Sequence, residues 1–374
     1  MAEAPPGAPE LHATRGGARV YRLPLRLCPG LDGYAHLVLT GDSAVLVDSG
    51  SGYGASNDDL EAGLSAVRRD FGEQVGWESL THVVLTHGHI DHFGGLPFVR
   101  SRTRAPIGVH ELDRPTVMFH NERLALVAHR LREFLIEAGV ETERREGLMD
   151  LYLVSKHLYT SVPVDFTYQA SGMRVGELEL THVPGHCPGQ VVMRLDDVLL
   201  SGDHVLPHIS PHQSPEMLAA YTGLGHYLDS LRMLKPLAAS IRVALGGHGG
   251  PIADLAGRLD EIESFHRQRL DLVLRWLEAP MTMAELSDRM FPAAAGYHAL
   301  LALEETGAHV EYLMQMGAVG LIDPEALESE TTQPLRYIRR GPPALPIVLR
   351  TTAARSTRRS AYGGIREERN DVRL

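Results

Sequence analysis

The sequence predicts an α/β fold, a mixed sheet covered by helices, on three observations. Thr81-His82-Val83-Val84-Leu85 is an apolar, β-branched run that reads as a buried strand. A helical stripe precedes it over residues 58–71, with Leu60, Leu64, Val67 and Phe71 on one face and Asn57 or Asp58 as the N-cap. Directly after the strand comes Thr86-His87-Gly88-His89-Ile90-Asp91-His92-Phe93-Gly94-Gly95, with three imidazoles and a carboxylate inside six residues. The strand delivers that group to a sheet edge, where Asp91 can open a helix and Gly94-Gly95 lets the backbone pass close by. Imidazoles and carboxylates suit zinc, and the group offers one ligand more than a lone catalytic zinc takes from protein. The spacing therefore suggests two metals.

Taken in order, residues 1–17 read as a flexible start. Residues 19–23, 35–39 and 44–48 then read as short antiparallel strands between Gly, Pro and Asp turns, and 106–109 follows the histidine run as the next strand. Between residues 110 and 168 the pattern turns helical. Residues 122–138 carry Leu124, Val127, Leu131, Phe134 and Leu135 on one face, and 148–159 predicts a second helix with Met149, Tyr152 and Tyr159. This segment is either extra core packing or a substrate lid. Strands resume at 173–175, 178–183, 190–194 and 198–200, a helix is expected over 214–237, and a last strand over 241–245. Helices over 253–277 and 298–316 flank a shorter one that begins near Thr282.

Length and composition bound the function. A chain of 374 residues with 44% apolar content can bury one large domain and a small second one. No run approaches the 18 apolar residues of a membrane span, and residues 1–15 lack an export pattern. Two cysteines, Cys28 and Cys187, make no disulfide framework, so a reducing, cytoplasmic setting is expected. Residues 331–374 carry ten Arg against three acids, whereas the whole chain is −11. An acidic body repels phosphate, which makes nucleic acid a poor partner without excluding it. The basic tail, poor in bulky apolar residues, is expected to be disordered.

The run from His87 to His92 resembles the His-x-His-x-Asp-His signature of the metallo-β-lactamase superfamily. The resemblance covers about residues 18–255 and implies a four-layer αβ/βα sandwich. It also implies three further ligands: His186 in Pro184-Gly185-His186-Cys187-Pro188-Gly189, Asp203 in Ser201-Gly202-Asp203-His204, and His248 in Gly246-Gly247-His248-Gly249-Gly250. In that pattern His87, His89 and His186 hold one zinc, Asp91, His92 and His248 hold the other, and Asp203 bridges them opposite a shared hydroxide that attacks a carbonyl. Asp91 and Asp203 are thus the expected catalytic carboxylates, and iron or manganese could stand in for the two Zn2+. Asp48, at a strand end, matches an acid that orients a ligand, because a metal-bound His needs its other nitrogen paired; a plain loop-capping role is the alternative. Cys187 is expected to be a small packing residue. His204, His208 and His212 are expected to line a loop, with His208 near substrate.

Residues 256–330 resemble the small winged-helix domain of the lactamase-β-2-like and hydroxyacylglutathione hydrolase-like branch. Glu285, Asp288, Glu304 and Glu305 make it a packing or dimerisation module in preference to a DNA reader, which leaves a homo-oligomer open. The leading expectation is a zinc-dependent hydrolase of a small thioester, acyl-CoA or acyl-glutathione, whose apolar part meets Phe119, Met149, Tyr152 and Tyr159. Cleavage of single-stranded RNA is the first alternative. A non-enzymatic metal-binding protein is the second, and an iron-dependent sulfur oxidation the third.

Overall fold

The computed structural model describes residues 7–41, 43–156 and 159–341. Among them, β1 (Glu10–Ala13), β2 (Arg19–Cys28), β3 (Leu31–Thr40), β4 (Ser43–Val47), β5 (His82–Val84), β6 (Ile107–Val109) and β7 (Phe166–Thr167) form one sheet in chain order. The first four pair antiparallel, and β4 through β7 pair parallel. Helices α1 (Ser56–Asp70), α2 (Ile90–Phe93) and α3 (Leu96–Arg102) make the first crossovers. The expected insert is three helices between β6 and β7: α4 (Arg114–Met118), α5 (His120–Glu137) and α6 (Thr142–Lys156).

A second sheet holds β8 (Arg174–Val175), β9 (Leu178–His182), β10 (Val191–Leu195), β11 (Val198–Gly202) and β12 (Val243–Gly246), with α7 (Leu224–Ala238) connecting the last two. Strand alternation explains how the sheets stack. Val20, Val38, Val45 and Val47 face the second sheet and pack with Leu178, Val191, Leu200 and Leu245. Tyr21, Leu23, Leu37 and Leu46 point the other way, onto Leu60, Leu64, Val67 and Val99 of the covering helices. On the strands of the first sheet, stiff valine side chains thus face the second sheet and mostly leucine faces the helices. The parallel strands of both sheets end at one rim, where side chains leave the ladders and are free to converge.

Helices α8 (Leu255–Trp276), α9 (Met283–Met290) and α10 (Tyr297–Gln315) follow, then the antiparallel pair β13 (Val319–Leu321) and β14 (Tyr337–Arg339). Met281, ahead of α9, bridges to Tyr337. Thr282 and Glu285 cap α9 reciprocally, which is why the chain turns there. This C-terminal helical region is compatible with the expected one. No described helix is long and apolar enough to cross a membrane.

Several expectations are corrected. The start is not wholly flexible: β1 pairs with β2, and Arg22 of β2 reaches Glu10; residues 1–6 lie outside the described residues. The basic tail is not disordered from 331, because β14 lies within it at Tyr337–Arg339; residues 342–374 lie outside the described residues. Helix α1 begins at Ser56, with Asn57 and Asp58 inside it and no side-chain cap. The helix expected from 214 starts only at Leu224. Tyr221 and Gly223 have φ of 68° and 106°, values an α-helix cannot contain.

Candidate metal centre

The site is built on turns that follow strand ends. Asp48 closes β4 with φ 63°, a left-handed backbone that costs about 1–2 kcal/mol for a residue with a Cβ. That conformation aims its carboxylate at the next strand's turn, where it accepts from the Thr86 amide (2.7 Å) and hydroxyl (2.8 Å). The same carboxylate lies 2.9 Å from His92 Nδ1. His92 Nε2 is thereby directed at Asp203 Oδ1 (3.4 Å) and Asp91 Oδ2 (3.7 Å).

His248 arrives from the far side on the turn after β12. Its Nδ1 lies 2.7 Å from the Asp32 carbonyl, and its Nε2 is 3.2 Å from Asp91 and 3.4 Å from Asp203 Oδ2. The buried Arg22 guanidinium lies over the Tyr34 ring, 3.3 Å from its centroid, and donates to the Gly249 carbonyl, while the Tyr34 amide donates to Gly247 (2.9 Å). Gly247 lies so close to Asp203 and His92 that a Cβ there would collide with both. Glycine is required by the cluster's own crowding.

His87, His89 and His186 form the other group. Their rings pack at centroid distances of 4.7, 4.5 and 5.3 Å, and His87 Nε2 is 3.0 Å from His89 Nδ1. His186 Nδ1 is 2.7 Å from the His212 carbonyl, so its Nε2 faces inward, 4.0 Å from Asp203 Oδ2. Asp203 thus stands between the two groups.

Burial sets the electrostatics, with opposite results on the two sides. His87 is pushed well below the ordinary imidazole value by burial and the neighbouring rings, and burial lowers His186 too. Burial also works against protonated His92 and His248, but the carboxylates prevail. Asp203, Asp91 and Asp48 hold His92 well above its ordinary value, and Asp203 and Asp91 lift His248 to about 10. Despite burial, Asp91 and Asp203 stay below the usual carboxylate range because of His92 and His248.

The residues fit metal ions. His92 Nε2, His186 Nε2 and Asp203 Oδ1 are buried polar atoms without a hydrogen-bond partner, and all three face the cluster. Ligand atoms from His87, His89 and His186, and from Asp91, His92, Asp203 and His248, lie within 4.8 Å of one another in each group. Orphaned buried donors and acceptors are costly, and metal coordination is what would satisfy them.

The family model described as the metallo-beta-lactamase superfamily matches residues 28–248, more than half of the chain and the whole ligand-bearing stretch. The chain belongs to the metallo-beta-lactamase superfamily. A protein of Bacillus subtilis named as a probable metallo-hydrolase is 28% identical over 74% of this chain and 86% of its own length. A metallo-beta-lactamase family protein from Thermus thermophilus, whose crystal structure is known, has 29% identity and a TM-score of 0.64 over 86% of this chain and 98% of that one. An atrochrysone carboxyl ACP thioesterase of Paecilomyces divaricatus is 26% identical over 60% of this chain, and the match spans about half, 52%, of that protein. Family and cluster together make the chain a metal-dependent hydrolase.

Of the five residues expected to meet substrate, one stands at this superfamily site. Tyr159 packs over the turn at Gly94, with its ring 6.5 Å from Phe93 and 6.3 Å from His120. Burial and the nearby Asp91 push its hydroxyl up to about 12, so it stays protonated at neutral pH. Met149 and Tyr152 are buried on α6, which makes them packing residues, and Phe119 is half exposed at the start of α5. His208 lines a cleft of about 870 Å³ against α8 that no residue of the metal cluster lines.

Two buried groups escaped the sequence reading. Asp113, on the turn after β6, accepts from the amides of Gly88 and Gly189, both at 2.8 Å, and from the Cys187 thiol at 3.4 Å. It ties the turn carrying His87 and His89 to the one carrying His186, and burial raises its carboxyl to about 6. Tyr168 accepts from the Leu85 amide (2.8 Å) and reaches the Leu85 and Gly108 carbonyls (2.6 and 2.9 Å), closing the end of β5.

Proposed function

We propose that the chain hydrolyses a thioester of the acyl-CoA or acyl-glutathione type at a dinuclear centre. His87, His89 and His186 would hold one ion, Asp91, His92 and His248 the other, and Asp203 would be shared. The observation that carries this reading is the position of Asp203, whose two oxygens face His92 on one side and His248 and His186 on the other. Zinc is the expected ion, with iron or manganese as substitutes, and when bound such ions supply a water activated near neutral pH and polarise a carbonyl.

The chain's own residues do the rest. Asp48, the Asp32 carbonyl and the His212 carbonyl hold the outer nitrogens of His92, His248 and His186 and keep those rings aimed. Tyr159 offers a protonated hydroxyl beside Asp91 and an aromatic face to an acyl group. The thioester is favoured by the resemblance to a fungal carrier-protein thioesterase and by the aromatic face of Tyr159 beside the cluster.

RNA cleavage is disfavoured by charge: the chain is −11 overall, and an acidic body repels a phosphate backbone. The test is metal content after purification without added metal, followed by kcat/KM on thioesters of graded chain length and on a short RNA at two salt concentrations. About two ions per chain and thioester turnover are expected. Salt-sensitive RNA cleavage without thioester turnover would overturn the substrate, and a reproducible single ion would overturn the dinuclear centre.

A further inference from the structure

The C-terminal helices contain a third buried group with the residue types of a metal site: His266 of α8 with Glu305 and His309 of α10. Its hydrogen bonds assign it a different role. His309 Nδ1 donates to the Glu305 carbonyl (2.7 Å), which leaves its Nε2 to accept from His266 Nδ1 (3.1 Å). His266 Nε2 then accepts from the Ser210 hydroxyl (2.6 Å). A single choice of tautomers satisfies all four nitrogens with both rings neutral, and burial lowers both imidazoles accordingly. The Glu305 carboxylate is taken by Arg269 (2.6 Å) and by the Gln213 amide (2.7 Å). Nothing in the group is left for an ion.

This network ends on Ser210 and Gln213, in the long connection between β11 and α7. That connection has no helix or strand of its own, and α10 holds it at further points. Glu304 accepts from the Ser214 hydroxyl and Glu311 from the Glu216 amide, both at 2.7 Å. His212 lies between these anchors, and its carbonyl is the acceptor that aims His186.

We propose that Glu305 is a positioning residue for His186, and that α8 and α10 act as a brace that fixes one side of the metal centre from the C-terminal region. The proposal rests on His186 being a ligand. Two of the acidic residues that made nucleic-acid binding improbable, Glu304 and Glu305, are therefore anchors of the brace. Without them the 203–223 connection would have to order itself, and the His212 carbonyl would spread over several positions.

The test is a Co2+ titration of the full chain, freed of metal and followed by visible absorption, for wild type, Glu305→Gln, His186→Ala and the double variant. Glu305→Gln is expected to weaken one of the two ions by about 10- to 100-fold and leave the other in place. The affected ion should be the one His186→Ala weakens, and the double variant should bind no worse than His186→Ala alone, because both changes act on one ligand. Thermal unfolding should stay cooperative, and Asp288→Asn on α9 should match wild type. If Glu305→Gln does not fold, Ser210→Ala with Ser214→Ala loosens the same connection from its own side and is read the same way. Unchanged Co2+ binding in Glu305→Gln, equal weakening of both ions, or additive losses in the double variant would overturn the brace. Unchanged Co2+ binding in His186→Ala would overturn the ligand assignment beneath it.

Discussion

The two halves of the metal cluster are built from different chemistry and braced from different parts of the chain. His87, His89 and His186 are an all-imidazole set in which burial favours the neutral rings. Asp91, His92, Asp203 and His248 mix charges, and the carboxylates raise the imidazoles against burial. The first half is tied together by Asp113 and by a connection that α10 holds. The second is held by Asp48, Asp32, Tyr34 and Arg22, all from the first sheet. The difference teaches that one half is ready for a cation as folded, whereas the other must exchange protons for it.

Removing the residue that joins the halves should have the largest effect. Asp203→Ala is expected to lower turnover by about 10³-fold or more and to weaken both ions, with unfolding still cooperative. A variant that loses only one ion would mean that Asp203 serves a single half. Asp113→Asn should act on one half: about 10- to 100-fold weaker binding of the ion at His87, His89 and His186, and little change at the other. The carboxyl also makes a pH signature. Its folded value of about 6 lies above the ordinary 3.8, so the folded chain takes up a proton in that window and its stability falls as pH rises through it. Metal-free wild type should therefore lose stability relative to Asp113→Asn between about pH 4 and pH 7, measured by urea unfolding. A difference independent of pH would contradict that assignment. Tyr159→Phe should have the smallest effect, about 1 kcal/mol or fivefold in kcat/KM, without changing metal affinity. An effect on metal affinity would place the hydroxyl inside the cluster.

Part of the cluster was legible because its signal is local: His87, His89, Asp91 and His92 fall inside six residues after one apolar strand run, whereas His186, Asp203 and His248 were expected only from the resemblance to the metallo-β-lactamase superfamily. Side chains that act through the backbone were not legible. Any residue at 212 could supply the carbonyl that holds His186, and any residue at 32 the one that holds His248, so neither leaves a mark in residue type. Residues 214–223 misled for a related reason. Their apolar spacing is helical, yet the positive φ at Tyr221 and Gly223 and the anchoring of Glu216 and Met217 on Glu311 keep them irregular. Glu304 and Glu305 pointed to a packing or dimerisation module, but nothing in the sequence names what they pack on, because their contacts with the 203–223 connection join residues about 90 apart.

The contrast between the halves is tested most directly by calorimetric Zn2+ titration of the metal-free chain in two buffers of different ionisation enthalpy near pH 7.5. Two binding steps are expected, with the larger proton release in the step that fills the His92 and His248 half, where the carboxylates raise the imidazoles. His92→Ala should reduce the release of that step and leave the other step intact. Equal proton release in both steps, or a single step of one ion, would contradict the account.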